Sequence, residues 1–256
     1  MDVLTDAFAW LNDPLNWTGR DGVLALTATH VLVSAQAVLL AAVVALPVGL
    51  WLGHRGRGAT VGVVVANTTR ALPTLALLTL LAASGMFGNP ATVLACAVFA
   101  VPPLLSGAVT GLGDVDPHVR DAARGVGMSG ARRLWTVEVP LAVPSLAAGL
   151  RTGAVQVLAT VPLAALVGGT SLGTIVVTGF GTQRFGQALA GGLLVAALCL
   201  VAEGALALVQ RLVTPAGLRS RERAARPAAG SPRRRRRPSP VATDAADRSN
   251  EPAAPR

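Results

Sequence analysis

Apolar runs of membrane-crossing length alternate with short polar punctuation along most of this chain. Five stand out: residues 30–53, 59–84, 91–112, 141–167 and 186–213. Each is long enough to cross ~30 Å of hydrocarbon as a helix. The run His30 to Gly53 holds no formally charged residue, and Pro47 lies near its end. The second run is broken by Arg70 and Pro73. It reads as a helix kinked at the Leu72–Pro73 step, with Arg70 turned inward or to the interface because a mid-span Arg is costly. The third run bends at Pro102–Pro103. The fourth carries Pro144 near its start and Pro162 inside, and the fifth holds Glu203. Between the last two, residues 168–185 are rich in Gly, Thr and Ser and form either a re-entrant segment or a short exposed loop. The fold class is therefore all-α, a polytopic helical membrane protein of about five transmembrane helices. A segment 1–25 precedes the membrane domain at 26–213, and an Arg/Pro-rich tail at 214–256 follows it, whose composition reads as disordered.

One polar interruption is longer than the rest and is ordered within itself: residues 114–140, containing DPHVRDAARGVGMSGARRLWTVEVP. Asp116–Pro117 is a helix start, since Asp accepts from orphan backbone N–H groups and Pro at the first helical position loses no needed donor. Val119, Ala122, Ala123 and Val126 recur at i, i+3, i+4, i+7, giving one small apolar face beside an Arg-bearing face. Gly127 suits the left-handed position that ends a helix. Ser129 caps a second helix, expected to stop near Pro140. The result is a helix–turn–helix wedge, its first arm about 15 Å long at 1.5 Å per residue. By these residues alone it is either a docking element or a solvated loop with two helical turns lying on the membrane surface.

Composition sharpens this picture. Hydrophobic residues are 52% and charged residues 14%, outside the range of soluble domains. The net charge of +9 misleads. All 22 basic residues are Arg, and residues 211–256 hold 12 of them with four acids, a net +8, which leaves +1 for the remaining 210 residues. Five spans put the two ends on opposite sides. Arg55 and Arg57 in one turn, Arg120, Arg124, Arg132 and Arg133 in the wedge, and the Arg-rich tail fall on one side; Arg20, Arg184 and the Asp-rich start fall on the other. The positive-inside bias then puts the N-terminus outside and the wedge and C-terminus in the cytoplasm. The start lacks the basic and apolar stretches of a cleavable signal. Phe8, Trp10, Leu11, Leu15 and Trp17 instead suit a short interfacial helix.

Catalytic chemistry is not visible. The chain has no GxxxxGK[ST], so it has no P-loop for nucleotide phosphates. Cys96 and Cys199 lie in apolar runs as inert thiols, and His30, His54 and His118 are dispersed, so neither metal nor cofactor is expected. Arg70 and Glu203 are read as the two charges inside spans, with a gating role or a bland one, snorkelling or interior pairing, equally open. Arg233 to Arg237 in the tail suit anionic headgroups or plain solvation better than nucleic acid.

The wedge resembles the EAA loop of binding-protein-dependent ABC importer permeases: Glu-Ala-Ala, three residues, Gly, nine residues, then apolar-x-apolar-Pro. Asp121, Ala122, Ala123, Gly127 and Val137-Glu138-Val139-Pro140 keep that spacing, with Asp121 in place of the usual Glu. Pro140 to Gly173 and Ala66 to Leu81 are similar to the glycine betaine/carnitine/choline (osmoprotectant) branch. The resemblance implies a type I importer permease, bacterial inner-membrane and multi-pass, that works with cytoplasmic ATPase subunits. It implies an extracytoplasmic substrate-binding protein and a second permease copy or sister permease. Asp121 and Arg124 would make polar contacts with the ATPase, Ala122, Ala123 and Gly127 would allow close packing, and Pro140 would fix the passage into the fourth span. Gly168, Gly169, Thr170 and Ser171 either line the solute route or punctuate helix ends. The rival readings are another importer branch (amino acid or methionine), a stand-alone carrier or channel, and a membrane scaffold without transport.

Overall fold

The computed structural model describes residues 2–56, 59–68 and 73–214, all within one unit, residues 1–218. Its long helices are α2 (Val23–Arg55), α5 (Gly88–Gly113), the continuous stretch Gly130–Val167, and α10 (Phe185–Val213). The shorter helices are α1 (Val3–Asn12), α3 (Ala59–Thr68), α4 (Thr74–Ala83), α6 (Pro117–Gly125) and α9 (Gly173–Gly181). Within Gly130–Val167, α7 (Gly130–Arg133) leads through a π turn (Leu134–Glu138) into α8 (Val139–Thr160), which tightens to a 3₁₀ turn over Val161–Val167. No strand occurs among the described residues.

α5 is the middle of the bundle, with α2 on one side and α8 on the other. The contacts are close because the facing positions are small. Ala37, Ala41, Ala45, Gly49 and Gly53 repeat every four residues along α2, placing one narrow stripe against α5. A Cβ added at Gly49 would lie 2.7 Å from Ala108 Cβ, and one at Gly53 2.8 Å from Leu112 Cβ. On the other side, a Cβ at Gly149 would lie 2.7 Å from Pro103 O and 3.0 Å from Gly107 Cα. Such backbone-to-backbone approach is how helices gain dispersion energy where lipid removes the hydrophobic drive between them. The outward faces stay apolar: Leu39, Val43, Leu200, Val201 and Leu212 are all exposed.

Four long apolar helices overlap predicted runs, with shifted ends. α2 begins seven residues earlier than residue 30, because Thr27 and Thr29 return their hydroxyls to the Val23 and Ala25 carbonyls and so fit a helix in lipid. Gly56, at φ +67°, ends it in the left-handed position. At 33 residues α2 is about 50 Å long, more than the hydrocarbon thickness of ~30 Å, and His54 and Arg55 lie in its last turn. The second run is two ten-residue helices, α3 and α4, and Pro73 caps the latter in extended conformation. Arg70 and residues 215–256 lie outside the described residues.

Two expectations are corrected. The second arm of the wedge does not stop at Pro140: the helix runs on through it. The π turn hands Val139 N–H to Leu134 O, five residues back, just where proline would otherwise clash with the preceding turn. The 168–185 stretch is not simply a loop either. It holds α9, whose Gly179 is packed so tightly on α10 that an added Cβ would lie 2.5 Å from Ala188 N. The N-terminal α1 packs on α10 as well, with Ala7 buried while Leu4 and Phe8 stay exposed.

Candidate functional site: the Asp116–Pro140 element

Local rules build both arms. Asp116 accepts from His118 N–H at 2.9 Å, Pro117 occupies the first turn, and Gly127 turns the chain at φ +79°. Ser129 then accepts from Arg132 N–H at 3.4 Å. α6 is strongly amphipathic, yet it buries only Ala123 against the body. Asp121, Ala122, Arg124 and Gly127 are exposed, together with Val119 and Val126. Asp121 and Arg124 pair with each other at 3.1 Å on the surface. Pro140 sits at the start of α8, also exposed. An exposed apolar residue that the sequence reading passed over, Trp135, stands on the adjoining turn.

Beneath this element is a group the sequence reading did not single out. Glu138 is fully buried. His54 Nδ1 lies 2.6 Å from Glu138 Oε2, and Arg133 Nε donates to Oε1 at 2.9 Å. Arg120 Nε lies 3.5 Å from the same oxygen without hydrogen-bond geometry, while its Nη2 donates to Leu112 O at the end of α5. Arg133 Nη2 and His54 Nε2 are 3.4 Å apart. A guanidinium has donors only, so His54 Nε2 presents its lone pair there and Nδ1–H donates to Glu138. The carboxylate, costly to bury alone, is thereby fully engaged.

Arg133 and Glu138 are five residues apart. In an α-helix they would point well away from each other, since facing pairs are three or four apart. The π turn stacks them. The only signal in the sequence was a proline two residues beyond Glu138.

Glu203 lies on α10 and is paired with Arg151 of α8, whose Nη1 also reaches Gln210 Oε1 at 3.1 Å. The expectation that Arg70 and Glu203 are the only charges in the spans is therefore corrected: Arg151 is a third, and it is the partner of Glu203. Each side chain is roughly one-third exposed, 35% and 38%. Of the four small residues after the 3₁₀ turn, Gly168 ends that turn at φ +76°. Gly169 and Ser171 are buried, and Thr170 receives and returns hydrogen bonds with Asn89. Among the described residues no cluster of metal-ligating side chains occurs.

Long apolar helices packed through glycine, with a charged helix–turn–helix fixed at one end and its outer side bare, define a multi-pass helical membrane protein. The chain belongs to the family of binding-protein-dependent transport system inner membrane components, whose model matches residues 45–215. It is the permease subunit of an ABC importer, and ATP hydrolysis resides on a separate subunit. It is 32% identical over 203 residues to the Bacillus subtilis glycine betaine/carnitine/choline transport system permease protein OpuCB, covering 78% of this chain and 93% of that one. It is 30% identical to the choline transport system permease protein OpuBB of the same organism, with the same coverage. It is 31% identical to the Salmonella typhimurium osmoprotectant import permease protein OsmW, covering 76% and 93%. Inward-facing structures of the MetNI methionine ABC transporter share the fold, with TM-scores of 0.64 and 0.66 at 21% and 18% identity, covering 75% of this chain and 96% of theirs.

Proposed function

We propose that this permease imports a quaternary ammonium compatible solute of the glycine betaine, choline or carnitine type, and that ATP-driven motion enters it through residues 117–140. The substrate class is supported by relatives named for those solutes across most of the chain. The observation that carries the coupling reading is the state of α6: capped at both ends, held to the body through Ala123 and Arg120, and exposed at Val119, Asp121, Ala122, Arg124 and Val126. Val119, Ala122 and Val126 form a short apolar ridge and the Asp121–Arg124 ion pair lies across the helix from it, the pattern of an amphipathic helix that seats in a partner's groove. The partners are a cytoplasmic ATPase at this face, an extracytoplasmic binding protein at the opposite end, and a second permease copy or sister permease. Arg distribution supports an external N-terminus and a cytoplasmic wedge and C-terminus.

The test is uptake of labelled glycine betaine by the reconstituted complex, which should require both ATP and the binding protein. Uptake by the purified chain alone refutes the reading. A cysteine placed at Ser129 (Ser129→Cys) should react with impermeant thiol reagents only from the cytoplasmic side.

A further inference from the structure

We propose that Glu138 is the positioning residue that clamps the α6–α7 element to the membrane helices, so that a displacement of α6 is delivered to α2 and α5 instead of being absorbed in the loop. This rests on the coupling reading above and adds to it the joint through which force would pass.

One buried carboxylate gathers side chains from separate parts of the fold. His54 comes from the last turn of α2, Arg120 from α6 and Arg133 from α7, while Glu138 itself closes the π turn that feeds α8. Arg120 extends the set to α5 through the Leu112 carbonyl. Without these contacts α6 is held to the body by little more than Ala123. Apolar packing of so small a face is non-directional and lets a helix slide. Charge-assisted hydrogen bonds fix direction as well as distance. The imidazole of His54 adds a steric stop: a Cβ at Gly130 would have His54 Nε2, 3.5 Å away, as its only neighbour within 4 Å. The first residue of α7 thus abuts the end of α2. A lever needs a stiff mounting: the fully buried Glu138 meets side chains from α2, α6 and α7, and Arg120 carries the set on to α5.

The test uses the full complex in liposomes, with a nitroxide on Gly125→Cys, an open position at the end of α6, in a background carrying Cys96→Ala and Cys199→Ala. Two quantities are read: the mobility of the label on α6, and labelled glycine betaine taken up per ATP hydrolysed. Glu138→Gln keeps the side-chain volume and removes the charge. The expected result is increased label mobility with uptake per ATP lowered about tenfold, the scale of a 1.4 kcal/mol coupling energy, while ATP hydrolysis persists. Unchanged mobility overturns the clamp. Increased mobility with unchanged uptake per ATP leaves the clamp standing and refutes α6 as the lever. Should Glu138→Gln fail to assemble, His54→Ala, at the part-exposed rim of the cluster, gives the same two readouts, and unchanged mobility there overturns the clamp equally.

Discussion

His54 Nδ1 lies 2.6 Å from Glu138 Oε2, joining the end of α2 to the turn that launches α8 across 84 residues of sequence. The imidazole is one-fifth exposed and the carboxylate fully buried, so the two partners are unequal. Removing the carboxylate leaves Arg133 and Arg120 facing each other without an anion; removing the imidazole leaves one carboxylate oxygen to find water.

Glu138→Ala should therefore destabilise the protein by about 3–5 kcal/mol, the range for breaking a buried charge cluster. His54→Ala should cost about 1.5–3 kcal/mol, one hydrogen bond to a charged group. Thermal unfolding in detergent measures both. The double variant should be less destabilised than the sum of the two, because the residues share one interaction.

Gly127 has open space around it, with nothing within 4 Å of an added Cβ, but its φ is +79°. Gly127→Val should cost through backbone strain alone, about 1–2 kcal/mol, and tilt α6 relative to α7. Membrane insertion should be normal, ATP hydrolysis should continue, and glycine betaine uptake should fall. Gly127→Asn should be milder, since Asn tolerates that region. Unimpaired uptake in the Val variant counts against the role given to α6.

Gly149 is a different case. A Cβ there meets Pro103 O at 2.7 Å and Gly107 Cα at 3.0 Å, and both are backbone or ring-fixed positions that cannot yield. Gly149→Leu should separate α5 from α8 and abolish monodisperse protein on size exclusion. Gly125→Ala is the control: it has ordinary φ and no neighbour within 4 Å, and should behave as the parent.

Arg151 and Glu203 join α8 to α10. Arg151→Glu should place two carboxylates together and sharply lower the yield in membranes. Adding Glu203→Arg should restore it by reversing the pair. Failure of the reversal to restore yield would show that one of the two has a partner elsewhere.

The tail adds charge to a nearly neutral membrane domain. Removal of residues 219–256 should leave reconstituted uptake within about twofold of the parent, with any loss confined to membranes rich in anionic lipid.

The spans, the capped wedge and its pivot were legible because they depend on local rules. Apolar runs of given length need lipid, Asp116 and Ser129 offer oxygens to orphan N–H groups, and Gly127 adopts a φ that other residues resist. Arg151 shows the limit of pattern reading, for a single Arg in an apolar run announces a charge but not the helix that answers it.

Only the tertiary structure decided what Glu138 does. By α-helical spacing Arg133 and Glu138 point apart, and the π turn that brings them together arises from how the chain accommodates Pro140. His54 and Arg120 then arrive from 84 and 18 residues away, because the last turn of α2 reaches the π turn and α6 folds back on the end of α5. Hydropathy and caps, set by neighbouring residues, specify which segments form and where they stop. The burial of one carboxylate between His54, Arg120 and Arg133 is set by packing, which no local pattern encodes.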